Sequence, residues 1–238
     1  MLLNTLHQIR FTGNRATGVE YVKRPFPGTR LAEARLEVII CAGAIGTPQL
    51  LMLSGIGRKA ELQRLQIPLL ADLPVGENLQ DHPIIGGVSA TMCGNHGIDT
   101  RNLSMVTDYI INRSGPLTVA AGAENQAFLN SALASSGLDR PDTQAFLVSL
   151  SLATEEGEVT SKFLGVKQEV YDRYYKPNRD KNSFMIVPVV LRPASRGRVT
   201  LKSARYTDHP IIDPRYFSDP RDLQTAIEVL PNGNVLHA

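Results

Sequence analysis

The chain has 238 residues, with 25 lysines and arginines against 23 aspartates and glutamates and a formal net charge of +2. This small and dispersed charge argues against binding to nucleic acid or to an anionic membrane surface. Cys41 and Cys93 are the two cysteines, so the sequence predicts neither a disulfide framework nor a metal site with zinc-ligand spacing. No apolar run predicts a signal peptide or a transmembrane segment, and the localisation stays unknown.

The first part of the chain predicts a hairpin followed by an α/β unit. Apolar residues alternate loosely over residues 5–11 and 16–22, with turn-forming residues between them, which is typical of two antiparallel strands. A short helix is predicted over residues 59–65. Residues 73–83 form a polar connection that contains two prolines, and we place the domain boundary at its end, after residue 82.

The stretch LEVIICAGAIGTPQLLMLSGIG at residues 36–57 organises this first part. Its continuous apolar run over residues 36–41 predicts a strand that is buried on both faces of a parallel sheet. Thr47 is a suitable N-cap, Pro48 suits the first helical position, and Gly55 suits the end of the helix. The pattern therefore predicts a strand–turn–helix unit whose small residues let the backbone approach a phosphate or a ribose.

The second part of the chain predicts an antiparallel sheet with helices on one side. Strands are predicted over residues 83–92, 126–129, 144–152, 184–191 and 198–202, and helices over residues 102–113, 165–175 and 223–230. Asp219 and Pro220 provide a cap-plus-proline start for the last helix. The fold class is therefore α/β over residues 1–82 and α+β over residues 83–238.

The glycines of the organising stretch do not form a G-x-G-x-x-G fingerprint, and their spacing leaves two interpretations open. One is plain architecture, and the other is contact with a dinucleotide. The histidines lie at positions that turns, loops and strands explain, and Ser54 lacks the G-x-S-x-G elbow of a nucleophile. The residue pattern alone therefore identifies no catalytic group.

Several segments along the chain resemble one family. GAIGTPQLLMLSGIG at residues 43–57 fits the second signature of the glucose–methanol–choline (GMC) flavin oxidoreductases at every restricted position. GNRATGVEY and PVGENLQDHP, at residues 13–21 and 74–83, are similar to the family's segments on either side of that signature. SRGRVTL and IDPRYF, at residues 195–201 and 212–217, resemble the start of its C-terminal region. The resemblance runs in order over roughly residues 5–228.

The resemblance implies FAD as the cofactor, held by a partial Rossmann-like FAD-binding domain that precedes a substrate-binding domain. Leu6 stands where the family has an aliphatic residue whose backbone meets the adenine. Cys41, Ala42 and Gly43 stand where the family's chain passes the adenosine part of FAD. Small residues at these positions agree with that role, because they let the main chain reach a ligand.

Asn78 and His82 match a loop that lies toward the flavin in the family. Turn chemistry alone also explains polar residues and proline in such a connection, so this assignment has an alternative. The resemblance therefore implies six cofactor-binding residues in all, and it assigns no catalytic residue and no metal ligand.

Two features of the family are missing from this sequence. It contains no G-x-G-x-x-G turn for the FAD pyrophosphate, and the residues after 230 do not match the segment with the catalytic histidine. We therefore interpret the chain as an internal part of a longer flavoenzyme. We expect the isolated chain neither to hold FAD nor to turn over alcohols. We also expect poor stability, because the strand at residues 36–41 would lack most of its parallel sheet.

The activity that the resemblance implies is oxidation of an alcohol CH–OH group to a carbonyl, with hydride transfer to the flavin. The expected partners are a small-molecule alcohol and an electron acceptor such as oxygen or a quinone, with no nucleic acid and no membrane span. Two alternatives remain open. One is a catalytically inactive short paralogue that acts as a binding or scaffold module. The other is an unrelated α+β domain that shares a strand–turn–helix unit.

Overall fold

Segments that are far apart in sequence pack together in this chain. The structure is a computed structural model, and it describes residues 4–23, 26, 28–91, 102–119, 123–134, 140–149, 152–153, 157–179, 181 and 183–229. One compact unit comprises Met1–Asp81 and Ser195–Ser218, and the other comprises His82–Ala194 and Asp219–Ala238. The sequence analysis grouped residues 195–218 with the second part of the chain, whereas they pack with the first.

The secondary structure alternates short helices with short strands. Up to Asp81 the elements are β1 (Asn4–Thr12), β2 (Arg15–Lys23), β3 (Thr29–Glu33), α1 (Gly43–Leu53), β4 (Ile56–Gly57), α2 (Lys59–Arg64), β5 (Ala71–Asp72) and β6 (Glu77–Leu79). The elements from His82 to Ala194 are β7 (Val88–Thr91), α3 (Leu103–Thr107), β8 (Ala123–Leu129), β9 (Thr143–Val148), α4 (Gly157–Phe163), α5 (Gln168–Val170) and β10 (Ser183–Val190). Strands β11 (Gly197–Thr200) and β12 (Ile211–Asp213) and helix α6 (Pro220–Val229) follow.

The predicted hairpin is confirmed. Strands β1 and β2 pair antiparallel, and β3 adds to the other edge of β2. The hairpin is tied to helix α1 by a chain of hydrogen bonds. The N–H of the buried Ile9 donates to Ser54 Oγ at 2.9 Å, and that hydroxyl donates to the carbonyl of Leu50 at 2.6 Å. The Ser54 hydroxyl therefore connects strand β1 to helix α1.

The core of the first unit combines residues from both of its segments. Met52, Leu62 and Ile67 pack with Leu201, which follows β11. Strand β11 lies between β12 and β6 in an antiparallel sheet. The buried side chains of this core come from both segments. The first unit is therefore complete only when residues 195–218, which follow the second unit's sheet in the sequence, have packed against residues 1–81.

Residues 36–41 depart most from the sequence analysis, which predicted a buried strand. The segment forms no strand, and Leu36 and Ile39 are 89% and 77% exposed. A central strand of a parallel sheet needs hydrogen-bonding neighbours on both sides and layers over its faces. Within the described ranges no strand pairs with this segment, so Leu36 and Ile39 stay exposed and Val38 and Ile40 are only partly buried. The predicted strand is therefore wrong for this structure.

Helix α1 begins at Gly43 and not at Pro48 as the cap pattern predicted. The N-cap residue is Ala42, and Thr47 lies within the first turns of the helix. From there, Thr47 Oγ1 accepts a hydrogen bond from the N–H of Ala42 at 3.2 Å. Pro48 lies within the helix and has no N–H to donate to the carbonyl four residues before it. The end of the helix is as predicted, with Gly55 following at a φ of +88°.

The second unit is built on an antiparallel sheet in the strand order β7-β10-β9-β8, which confirms the predicted sheet. Its core includes Leu152, Tyr171, Tyr175 and Met185. The helix predicted over residues 165–175 begins at Gln168 and continues as a π-helical turn through Tyr175, and α4 was not predicted. The chain as a whole is therefore a mixed α and β structure with antiparallel sheets.

Helix α6 begins with the predicted cap. Asp219 Oδ1 accepts the N–H of Arg221 at 3.0 Å, and the Arg221 guanidinium donates to both Asp219 oxygens. The Arg221 side chain, followed by its backbone N–H, lowers the pKa of Asp219 to about 2. Among the helices of the described residues, none is long and apolar enough to cross a membrane.

Two leucine truncations compare how much a buried core side chain and an exposed side chain of residues 36–41 contribute to stability. Leu62 is 1% exposed, and we expect Leu62→Ala to lower the free energy of unfolding by about 2–5 kcal/mol because it leaves a cavity. Leu36→Ala should change it by less than about 0.5 kcal/mol, because the side chain faces solvent. Urea denaturation followed by circular dichroism measures both. Equal losses for the two variants would mean that residues 36–41 are buried.

The cap of α6 should make the stability depend on pH. The pKa of Asp219 is below its ordinary value of 3.8 in the folded chain, so the ionised cap stabilises the fold above that value and stops doing so as the pH falls through about 2. At pH 7, Asp219→Asn keeps a capping oxygen but removes the charge that pairs with Arg221, and it should lower the melting temperature by about one to two degrees. The difference from the unsubstituted chain should close toward pH 2. In an Arg221→Gln background, which removes the cause of the pKa shift, the pH dependence should be much smaller.

Candidate functional site

A groove of about 360 Å³ lies beside the first turns of helix α1 in the first unit. One wall is the start of the helix, and the facing wall is the chain around β6. The lining residues are Ala44, Thr47, Pro48, Leu51, Val75, Gly76, Glu77, Asn78, Leu79, Gln80 and Val199. Both segments with the strongest family resemblance thus contribute to one concave surface.

Asn78 enters this groove because of a β-bulge. In the pairing of β6 with β11, Leu79 is opposite Gly197 and Glu77 is opposite Arg198, so Asn78 is the extra residue. Its φ of +61° lies in the left-handed region, which asparagine tolerates better than most residues with a Cβ. A bulge interrupts the alternation of side chains and changes the direction of the inserted residue. The bulge therefore accounts for an exposed asparagine amide at the groove.

The first turn of α1 offers main-chain groups on the opposite wall. The first N–H groups of a helix have no partner within the helix, and here they belong to small residues. Gly43 has a φ of +78°, and a side chain there would meet nothing within 4 Å. Because Pro48 has no N–H, the carbonyl of Ala44 also receives no α-helical hydrogen bond from it. Donors and an acceptor of the backbone are therefore accessible at the same helix end.

The groove carries little chemistry for proton transfer. Glu77 is its only carboxylate among the described lining residues, and Arg58 holds it with two hydrogen bonds of 2.6 and 3.0 Å. The hydrogen bond from Arg58 lowers the pKa of Glu77 below its ordinary value. Glu77 is therefore ionised and paired at neutral pH. The arrangement can bind a ligand, but it has no free general acid or base.

The remaining predicted cofactor residues lie outside the lining of this groove. Leu6 is in β1 opposite Tyr21 and is 46% exposed. Cys41 has an exposed thiol just before α1, and Ala42 is the N-cap residue of that helix. His82 is exposed and is the first residue of the second unit. The structure brings Asn78 together with the start of α1, and the site described above rests on the first unit alone.

The sequence analysis missed Ala44, Thr47 and Pro48 as lining residues of this groove. It placed the start of the helix at Pro48 and so treated the preceding residues as a turn. A proline costs a helical hydrogen bond in the interior of a helix and none at the first position. Pro48 therefore favoured the later start, and no local signal pointed to the turn that begins at Gly43.

Comparison with protein families places these features in a known context. Two family models, both described as GMC oxidoreductase, match this chain, one over residues 2–84 and the other over residues 193–232. The first match includes α1 and β6, and the second includes β11 and β12. The matched regions therefore contain all of the groove's walls.

Proteins of the same family resemble nearly the whole of the chain. An alcohol dehydrogenase (acceptor) of Pseudomonas putida is 35% identical over 235 residues, which cover 96% of this chain and 38% of that protein. A chloroplastic fatty acid photodecarboxylase of Chlamydomonas reinhardtii is 33% identical, with 92% and 36% covered. A crystal structure of formate oxidase superposes with a TM-score of 0.73 at 25% identity, covering 94% of this chain and 41% of that one.

This chain spans less than two fifths of the length of the curated relatives named above, 38% of one and 36% of the other. Within that span, the signature helix, the hairpin before it and the strands that complete the first unit are all present. The resemblance stated from the sequence is thereby confirmed. The chain belongs to the GMC oxidoreductase family.

Proposed function

We propose that this chain is part of an FAD-dependent oxidoreductase that oxidises the CH–OH groups of alcohols, and that the groove beside α1 contacts FAD. The observation that carries the proposal is the groove itself, in which the signature helix and Asn78 form facing walls. Membership of the GMC oxidoreductases supports FAD as the cofactor. An alcohol substrate is supported by the similarity to a protein named alcohol dehydrogenase.

The residues at the start of α1 fit the adenosine part of FAD. The exposed residues 41–44 are small, and the open space at Gly43 leaves room for a ligand close to the main chain. We propose that the main chain of Cys41, Ala42 and Gly43 contacts the adenosine, and that the backbone of Leu6 contacts the adenine. The N–H groups of the first turn favour the hydroxyl or phosphate oxygens of such a ligand.

The opposite wall fits a polar contact on the flavin side. FAD bound here would supply the hydride acceptor for the oxidation of an alcohol carbon. We propose that the Asn78 amide, which can both donate and accept hydrogen bonds, orients the cofactor, with His82 in the same loop. Because Glu77 is held by Arg58, we assign no proton-transfer role to the groove.

We propose that residues 83–191, most of the second unit, form the substrate side of the enzyme. The substrate would be a small-molecule alcohol, and the electron acceptor would be oxygen or a quinone. The second candidate is a binding or scaffold module without catalysis, which is favoured by the lack of a free acid or base among the groove's lining residues. If the chain is such a module and does not use FAD, adenosine and flavin ligands should not change the alkylation rate of Cys41.

Alkylation of Cys41 should report contact with the adenosine part. The thiol is exposed. The isolated chain is not expected to retain FAD through purification, but millimolar AMP or FAD in solution should occupy the groove. A ligand bound there covers the thiol and should slow its reaction with iodoacetamide by about two-fold at half-saturation. FMN, which lacks the adenosine, should leave the rate unchanged at the same concentration. Peptide mass mapping measures the modification at Cys41 separately from other sites. Equal rates with AMP, FAD and no ligand would reject the proposed contact.

Two substitutions of Asn78 separate its amide from its backbone conformation. Asn78→Gly keeps the left-handed bulge at little strain, whereas Asn78→Ala should cost about 1–2 kcal/mol of unfolding free energy. If the amide contacts FAD, both variants should weaken FAD protection of Cys41 by about five-fold, which corresponds to one lost hydrogen bond. Protection that is lost with alanine and retained with glycine would assign the effect to the backbone and not to the amide.

A further inference from the structure

Tyr216 and Asp81 form a contact between distant parts of the first unit. The Tyr216 hydroxyl donates a hydrogen bond to Asp81 Oδ2. Asp81 lies at the end of the segment that forms the β6 wall of the groove, and Tyr216 lies shortly after β12. No local sequence pattern identifies this pair, because its two members are 135 residues apart.

The three-stranded sheet brings these two residues to the same edge. Strand β6 ends at Leu79, and β12 ends at Asp213 on the other side of β11. Both ends lie beside the start of β11, at Gly197 and Arg198. The hydrogen bond between Tyr216 and Asp81 therefore passes across the start of β11 and connects the segments that follow β6 and β12. Arg198 and Arg215 both lie near the Asp213 carboxylate, at 3.9 and 3.4 Å, and support the same corner.

The backbone around Tyr216 is held in an unusual conformation. Arg215 and Phe217, its two neighbours, have φ values of +51° and +58°. The left-handed region is unfavourable for residues with a Cβ, especially a bulky aromatic one, and such strain persists only where the surroundings impose it. The N–H of Ser218 closes this turn by donating to the carbonyl of Arg215 at 3.1 Å. The turn therefore places Tyr216 between two residues with strained backbone conformations.

We propose that Tyr216 is a positioning residue for the cofactor groove, which it serves by holding Asp81 and thereby fixing the course of residues 78–81. The inference rests on the proposed function, because it assigns the groove's Asn78 to the cofactor. Asp81 is fixed by Tyr216 at one end of this segment, and the pairing of β6 with β11 fixes the other end. The bulge at Asn78 lies between these two anchors, so its amide keeps one direction.

The titration of Tyr216 agrees with this hydrogen bond. The bond to the Asp81 carboxylate, followed by burial, raises the pKa of Tyr216 to about 12. A raised pKa means that the folded state favours the neutral phenol. The stabilisation is therefore fully present below the ordinary value of 10.0 and is lost as the pH rises through about 12. The bond is intact throughout the neutral range.

The decisive variant is Tyr216→Phe, with Tyr206→Phe as its matched control. Tyr206 lies in the same segment and packs edge-on against His7 at 4.6 Å between ring centroids. In the ligand-free 238-residue chain, Tyr216→Phe should shift the backbone and side-chain amide NMR signals of Asn78, and Tyr206→Phe should not. The 295 nm absorbance difference between the chain and Tyr216→Phe should titrate near pH 12.

Ligand binding separates positioning from general stability. Tyr216→Phe should weaken FAD protection of Cys41 by about five-fold, as expected for one displaced hydrogen bond, and leave AMP protection unchanged. Asp81→Ala should also weaken FAD protection of Cys41. Asp81→Asn keeps an acceptor for the Tyr216 hydroxyl and should retain most of that protection. A loss of both FAD and AMP protection in proportion to a fall in melting temperature would make the role merely structural and overturn the inference.

The same measurements keep this inference distinct from the proposed function. If FAD and AMP fail to protect Cys41 in the unsubstituted chain, the proposed function fails, and with it the cofactor role of Tyr216. The NMR comparison still decides whether Tyr216 holds residues 78–81. Asn78 signals that are identical in Tyr216→Phe and Tyr206→Phe would overturn the positioning role.

Discussion

The close approach of Gly76 to Val199 is the contact on which the first unit depends. The N–H of Val199 donates to the carbonyl of Gly76 at 2.7 Å, and a Cβ at residue 76 would collide with the carbonyl of Val199. Only glycine permits this approach at a φ of +83°. Because of it, β6 can pair with β11, and Leu201 can reach the core formed by Met52 and Leu62. Residues 82–194 separate the two segments, and the entropy of closing a loop grows only slowly with its length.

The details of the groove follow from this pairing. The register of β6 against β11 makes Asn78 the inserted residue of a bulge, and the same sheet brings Tyr216 near Asp81. Arg58 holds Glu77 on the neighbouring position of β6. The groove's polar groups are therefore held by contacts that lie outside it, which is the arrangement that keeps a binding surface in one geometry.

The extent to which the sequence predicted this structure depends on how local each signal is. The hairpin, the end of α1 near Gly55 and the cap at Asp219 all come from a few adjacent residues and are confirmed. The strand at residues 36–41 failed because an apolar run specifies burial only when other strands are there to pair with it. The start of α1 was misplaced because Thr47 and Pro48 match a cap pattern, whereas the helical backbone extends through them.

The candidate site was less accessible to sequence reasoning than the fold. The resemblance to the family named Asn78 as a cofactor residue, and that assignment remains a prediction. Its left-handed backbone and its bulge depend on the register of strands far apart in sequence, which no local pattern encodes. The same holds for Tyr216, whose partner is identified by three-dimensional position alone.

The composition of the groove also determines what kind of role it can have. A general acid or base must titrate near the working pH and must reach the proton that it transfers. Among the described lining residues, Glu77 is the sole titratable side chain, and its ion pair with Arg58 keeps it charged. What remains is a helix start with open N–H groups, the Thr47 hydroxyl, the amides of Asn78 and Gln80, and a set of small or apolar side chains. These groups discriminate a ligand by shape and hydrogen bonding, and we therefore infer that this part of the chain contributes to holding a cofactor and leaves bond breaking to groups outside the groove.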